Sequence, residues 1–454
     1  MELFNSIFYF VLTIGILIAV HEFGHFIAAK LSKMRVNVFA IGFGLRLFGY
    51  NKLKGFTFGS LPKELDLEGN TDYRLCILPL GGYVKVAGMI DESLDREFLN
   101  NEPQPWEFRS KSTGKKLFVI SAGVIMNVLL AFLIFWGVNI FKPIQHLKTT
   151  EVGYIPKGST IELTGFKQND KIISIDGKEV VYWDEILNFI FIKRIGEDFS
   201  AVVERDGKLT TLNIKSNLLQ FDRAEGITLL PKQTKVVINQ ITSNSPAEMA
   251  GLQKEDMFIS LNNERIISNK QLIDIVSSNA EKSIPMVYAR GKDTISTNVA
   301  PNKEGKIGVL SSMIIDAPVE YESYSFFSAG IQAMRNCYET TLLFFNIVSK
   351  VILGKVEFAK AFGGPIRIAQ MAAQTADVNL FSFINFIALL SLSLAIINIL
   401  PFPVLDGGHI IIILLEGILQ REIPPKVKIA IQNVGFVILL LFMAFVIYTD
   451  IMNF

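Results

Sequence analysis

His21-Glu22-Phe23-Gly24-His25 sets two imidazoles four residues apart with a carboxylate between them. On a helix, that spacing puts both rings on one face. There they can grip one metal ion, with Glu22 beside it as a general base. The motif ends a run of apolar residues that starts at Ile7. Imidazole and carboxylate groups are costly at membrane depth and mark function there. The plainer reading is a chance motif with two satisfied core histidines. Against it, the chain holds only four histidines, His21, His25, His146 and His409, and two of them fall at ligand spacing around Glu22. The residues point to a hydrolytic metal site, with Zn2+ as the ion, inside a bilayer.

A second stretch offers the missing ligand. Asn398-Ile399-Leu400-Pro401-Phe402-Pro403-Val404-Leu405-Asp406-Gly407-Gly408-His409 closes another apolar run. Pro401 and Pro403 cannot continue a regular helix, and the backbone groups they free need partners, so the break is expected to line the site. Asp406 is the first carboxylate after the 28 uncharged residues 378–405. A His/His/carboxylate set leaves the fourth position of zinc for water. His409 is the rival third ligand, and spacing does not exclude it. The bland alternative for Asp406 is a helix cap with an Asp-Gly-Gly turn just outside the bilayer.

These residues need a membrane scaffold, and the composition supplies one. Half of the 454 residues are hydrophobic, mean hydropathy is +0.38, and the net charge of +1 gives no reason to expect nucleic acid. Spans of about 20 apolar residues are expected at 1–29, which carries the His-Glu motif, at 117–141, at 378–405 and at 427–449. The first lacks a basic leader and a small-residue cleavage site and is read as retained. Lys30, Lys33, Arg35, Lys111, Lys115 and Lys116 lie between spans one and two. Arg421, Lys426 and Lys428 lie between spans three and four. Excess Lys and Arg mark cytoplasmic loops, so both termini and the large segment after span two are expected outside. Cys76 and Cys337 then fall on opposite sides and make no disulfide framework. The stretch 326–353 holds Arg335, Glu339 and Lys350 and is read, within 320–377, as amphipathic and interfacial. If it spanned instead, Asp406 would lie on the far side from His21.

Residues 30–116 read as β-structure around Val36–Gly44 and Tyr73–Val86, broken at Pro79 and Gly81-Gly82. They form either an ordinary cytoplasmic hairpin domain or a re-entrant one beside the metal, since non-helical backbone at membrane depth is tolerated where it lines a cavity. The outer segment contains a repeat at an offset of 86 residues. Gly158-Ser159 matches Asn244-Ser245, Gly165-Phe166 matches Gly251-Leu252, Asp170 matches Asp256, and Ile173-Ser174-Ile175 matches Ile259-Ser260-Leu261, with Arg205 and Arg290 before a turn in each copy. Two small domains of strands plus one or two helices are expected at 150–218 and 233–301.

With these motifs together, along with Gly82-Tyr83-Val84-Lys85 and Ala122-Gly123 with Asn127, the chain resembles the site-2 protease family of intramembrane zinc metalloproteases over nearly its whole length. The likeness is to the bacterial branch with two tandem PDZ domains. It implies that His21, His25 and Asp406 bind Zn2+ and that Glu22 is the base. It also implies that Asn398 assists substrate handling, with Pro401 and Pro403 beside it, and that Gly82, Tyr83 and Val84 pair with an extended substrate. The implied fold is a polytopic α-helical membrane protein with four transmembrane helices, a membrane-associated β-hairpin region and two α+β PDZ domains, in a bacterial inner membrane. The implied substrates are single-span membrane proteins, such as anti-sigma factors or remnant signal peptides, with the PDZ pair as an outer size filter. The chain departs from the family at Ser393, where many members carry Asn. It also shows no evident Gly-Leu-Gly-Phe loop; Gly153-Tyr154-Ile155 and Asn239-Gln240-Ile241 stand near its place. The competing functions are a membrane-anchored PDZ scaffold without protease activity and a metal transporter.

Overall fold

The computed structural model describes residues 2–62, 65, 67–89, 102–153, 155, 161–194, 197–215, 218, 229–356, 358 and 363–452. Tyr154 and Gly158-Ser159, quoted above, lie outside them. The chain divides into two compact units, one from 1–143 with 323–454 and the other from 144–322.

The first unit opens with helix α1 (Glu2–Leu31). Nothing in its apolar run breaks a helix. Lys30 complements the dipole in the last turn, and Lys33 then takes a left-handed φ of 55° while Met34 N–H bonds back to Ala29 O at 2.8 Å. Strands β1 (Val36–Asn51), β2 (Gly55–Phe58) and β3 (Asp72–Val86) follow as a sheet in the order β2-β1-β3. The long strands double back. β1 reverses at Gly42 and Gly44, both at φ near 90°, a region open to glycine at little cost. Val38, Phe39, Ala40 and Ile41 pair with Lys85, Val84, Tyr83 and Gly82 on one side, and with Asp72, Tyr73, Arg74 and Leu75 on the other. The stretch 82–86 is thereby an edge.

Helix α2 (Thr113–Phe141) packs on α1 and ends this first part. The unit resumes with α6 (Phe326–Ile352), α7 (Pro365–Val378), α8 (Leu380–Ile399), α9 (Asp406–Leu419) and α10 (Pro425–Met452). Four of these helices, α1, α2, α8 and α10, are long and apolar enough to cross a membrane; α6 is not among them. Polar groups, some buried, tie the bundle together. Ser391 Oγ donates to Asn127 O at 2.8 Å, and Trp136 Nε1 donates to Phe326 O at 2.9 Å. Asp450 of α10 accepts the N–H groups of Gly364, Ile366 and Arg367, satisfying the start of α7. The expected third span, 378–405, proves to be a helix only to Ile399. Pro401 and Pro403 follow its end, and α9 starts afresh at Asp406.

The second unit contains β4 (Ile144–Leu147), β5 (Lys171–Ile175), β6 (Lys178–Glu179), α3 (Trp183–Asn188), β7 (Phe199–Arg205) and β8 (Lys208–Ile214). Then come β9 (Thr234–Ile241), α4 (Pro246–Met249), β10 (Met257–Leu261), β11 (Glu264–Arg265), α5 (Asn269–Ser278), β12 (Ile284–Arg290), β13 (Asp293–Val299), β14 (Val309–Ile315) and β15 (Val319–Glu322). The duplication is visible in its ion pairs. Arg205 clamps Asp170 and Gly165 O, and Arg290 clamps Asp256 and Gly251 O, with both Asp residues fully buried. Both cores outrun the expected limits of 150–218 and 233–301. Leu229 is buried in the first core and Ile307 in the second, and β14 pairs with β9 from beyond residue 301. A closing strand far along the chain repairs the open edge of the first strand of the repeat, and the ungapped match does not reach it. The β4–β15 ribbon closes the unit. There His146 Nδ1 bonds Asp184 at 2.9 Å, and that carboxylate holds the imidazole above its usual range.

Candidate metal centre

α1 delivers His21 and His25 from successive turns of one face, their Nε2 atoms 3.2 Å apart. The start of α9 delivers Asp406, with Oδ2 3.2 Å from His21 Nε2 and Oδ1 3.6 Å from His25 Nε2. One ligand atom from each of the three lies within 4.8 Å of the others, and no other such trio occurs among the described residues.

The outer nitrogens of both rings are already committed. His25 Nδ1 lies 2.8 Å from Val119 O, so it carries the proton and leaves the Nε2 lone pair facing inward. Asn127 is wholly buried on α2, with its amide 3.2 Å from His21 Nδ1 and its Oδ1 without a partner. With the amide turned to present Oδ1, Nδ1–H donates to it and the second Nε2 lone pair also points inward. Asp406 Oδ2 is buried and accepts no hydrogen bond. Three acceptors then converge with no proton between them, an arrangement that a cation satisfies, and the donor set suits zinc.

Glu22, Asn398, Gly82, Tyr83 and Val84 line one cleft of about 340 Å³ with His21, His25 and Asp406. A Cβ on Gly82 would meet Ala40 O at 2.8 Å and Glu22 Cγ at 3.2 Å, so the missing side chain lets the edge strand close on α1. The break lines the cleft as expected, through Val404 and Leu405, although Pro401 and Pro403 themselves are not among the lining residues. They end α8, and Pro403 packs where α10 passes at Gly435. Ser393 faces away too, its hydroxyl donating to Leu389 O one turn back on its own helix. His409 lines the cleft but stays outside the converging trio, 3.4 Å from Gln432. Gly123 carries an unforeseen burden, since a Cβ there would meet His25 Nε2 at 2.5 Å and His21 Cε1 at 2.7 Å. Ile18, Ile120 and Leu394 are among the other wall residues, and nothing in their spacing singled them out.

The chain is similar in sequence to known proteins over nearly its whole length. "Regulator of sigma-E protease RseP" of Escherichia coli is 28% identical over 466 residues, covering 97% of both chains. "Protease RseP" of Yersinia pestis is 29% identical over 481 residues and 99% of both. A "Putative zinc metalloprotease" of Vibrio cholerae is 28% identical over 467 residues and 97% of both. Peptidase family M50 matches residues 9–442, a stretch that takes in both halves of the metal centre, and the chain belongs to that family.

Proposed function

We propose that this zinc metalloprotease cuts the transmembrane segments of single-span proteins within the bacterial inner membrane, as a site-2 protease in regulated intramembrane proteolysis. Anti-sigma factors and remnant signal peptides fit as substrates. The sigma-E wording in the names of its relatives favours the former. The observation that carries the reading is the convergence of His21, His25 and Asp406 beside Glu22, on a unit with four helices fit to span a membrane. Zinc, when bound, polarises the scissile carbonyl and acidifies the attacking water. Glu22 takes the proton from that water and passes it to the leaving amine. The edge strand 82–86 offers backbone groups to an unwound substrate, adding it as one more strand. Asn398 reaches the same cleft and orients the substrate there.

We further assign the two repeats of the second unit as PDZ domains acting as an outer size filter. A scaffold with a dead site would need no complete set of ligands and base, and this chain keeps all four groups. A metal transporter would want polar groups in several spans, and those of α10 are few.

Glu22→Gln tests the assignment. The purified variant should retain stoichiometric zinc and its fold while losing cleavage by roughly three orders of magnitude or more. Substantial residual cleavage removes Glu22 from the role of base.

A further inference from the structure

We propose that His146 is a proton-operated clasp between the β4–β15 ribbon and the first repeat. Protonated, it fixes the repeat to the ribbon; deprotonated, it releases one side.

His146 stands on β4 between two carboxylates. Its Nδ1 lies 2.9 Å from Asp184 Oδ2, on α3 of the first repeat. Its Nε2 lies 3.3 Å from Glu322 Oε2, on β15 of the ribbon. An ionised carboxylate only accepts, and a neutral imidazole carries one N–H. Neutral His146 can therefore serve one carboxylate and must turn a lone pair on the other. Only the imidazolium donates to both. The side chains of His146, Asp184 and Glu322 are 21%, 41% and 53% exposed, so the proton exchanges freely with water.

The neighbours favour the same state. Glu320 of β15 is the register partner of His146. It accepts from the Tyr182 hydroxyl at 2.5 Å and pairs with Lys148 of β4. The Tyr182 ring lies against the imidazole, with centroids 4.9 Å apart. Glu185, next along α3, is occupied by the N–H groups of Val181 and Tyr182. Among the described residues, Asp184, Glu320 and Glu322 thus face Lys148 alone unless His146 carries a charge. The bond to Asp184, and after it the one to Glu322, holds the imidazole above its ordinary 6.5. A group raised in this way stabilises fully below its ordinary value, and that contribution is lost as pH climbs through the raised one. The clasp closes in acid and slackens in mild alkali.

The ribbon is where a slack joint matters. β4 opens the second unit and β15 closes it, so both chain connections to the first unit pass through this pair. The other oxygen of Asp184 takes Leu147 N–H at 3.2 Å, and Leu147 packs against the core of the first repeat. These contacts keep the repeat attached when the proton leaves. The imidazolium sets how firmly it is held.

Hydrogen exchange on the full chain in nanodiscs, corrected for the intrinsic pH dependence of amide exchange, reads the clasp. From about pH 6 to about pH 9, exchange in segments 144–149 and 182–188 should rise about two- to fivefold, the range of a part-exposed ion pair. β12 and β13 of the second repeat should not change. Glu322→Gln lets a neutral imidazole donate to Asp184 and accept from the new amide, so both segments should stay protected at either pH. His146→Gln, which cannot donate to both sides, should exchange at the faster rate throughout. Equal protection of the unaltered chain at both pH values overturns the proposal. So does a pH response that survives Glu322→Gln undiminished, or one that extends to β12 and β13. A consequence for selectivity rests on the reading of the repeats as a size filter. Cleavage of a bulky substrate relative to a trimmed one should rise about twofold over the same range, and the ratio cancels the pH dependence of the metal centre both substrates share. A flat ratio beside pH-dependent exchange faults the filter reading and leaves the clasp standing.

Discussion

Asp406 and His409 stand three residues apart at the start of α9, and only Asp406 joins the histidines. The sequence left the choice open because both follow the Pro-x-Pro break within a single helical turn. The backbone decides it. Ile399 ends α8, the chain crosses through Leu400–Leu405, and Asp406 is the first residue of the new helix, where its carboxylate also suits the dipole. His409 comes one turn later and meets Gln432 of α10. Asp406→Ala should therefore lower zinc affinity by about 100-fold or more, because it removes a direct ligand rather than a supporting partner. His409→Ala should keep one zinc per chain. Metal content of the two purified variants distinguishes them, and the opposite ranking would make His409 the third ligand. His21, Glu22 and His25 were legible because a helical motif carries its own geometry. Asn127 and Gly123 act across a helix interface, where spacing along one chain says nothing about what stands opposite.

At the scale of elements, the centre depends on how closely α2 approaches α1. Gly123 lies where a side chain would occupy the space of both imidazoles, and Gly24 of α1 lies against Ala122 O. Gly123→Ala should thus leave a folded protein, with about 1–3 kcal/mol of overpacking. It should weaken zinc binding roughly 10–100-fold, the loss typical when the groups that hold ligands in place are disturbed. Unchanged zinc affinity would show that the rings have slack the packing does not suggest. The helices were readable from apolar length, because a span must satisfy its backbone internally. The sheet was readable as strands but not as a sheet. The reversal within β1 and the two-sided pairing of 38–41 arise from register, and register depends on partners remote in sequence. The same limit shortened both outer repeats, whose closing contacts, β14 on β9 and Pro231 against Val152, lie beyond the reach of the ungapped match.

For the whole molecule, the question is what the inserted unit does for a candidate centre whose converging residues, among those described, all come from the first unit. The converging trio His21, His25 and Asp406 and the proposed base Glu22 belong to the first unit, so hydrolysis should survive loss of the second. The ribbon offers a clean excision. Leu147 of β4 is the register partner of Val319 of β15, and Ile144 that of Glu322. Replacing residues 148–318 by Asn-Gly, a two-residue turn suited to an antiparallel pair, should close the ribbon while leaving α2 and α6 joined as they are. If the repeats exclude bulk, as proposed, the excised enzyme should cut substrates that keep a large outer domain. The intact enzyme should cut only those already trimmed. If the repeats instead recruit substrate, the excision should slow cleavage of trimmed substrate and leave the bulky form uncut. Parallel assays of both substrates with both enzymes decide between filter and docking platform. A bulky substrate that stays uncut after excision, alongside slower cleavage of the trimmed one, would sink the filter.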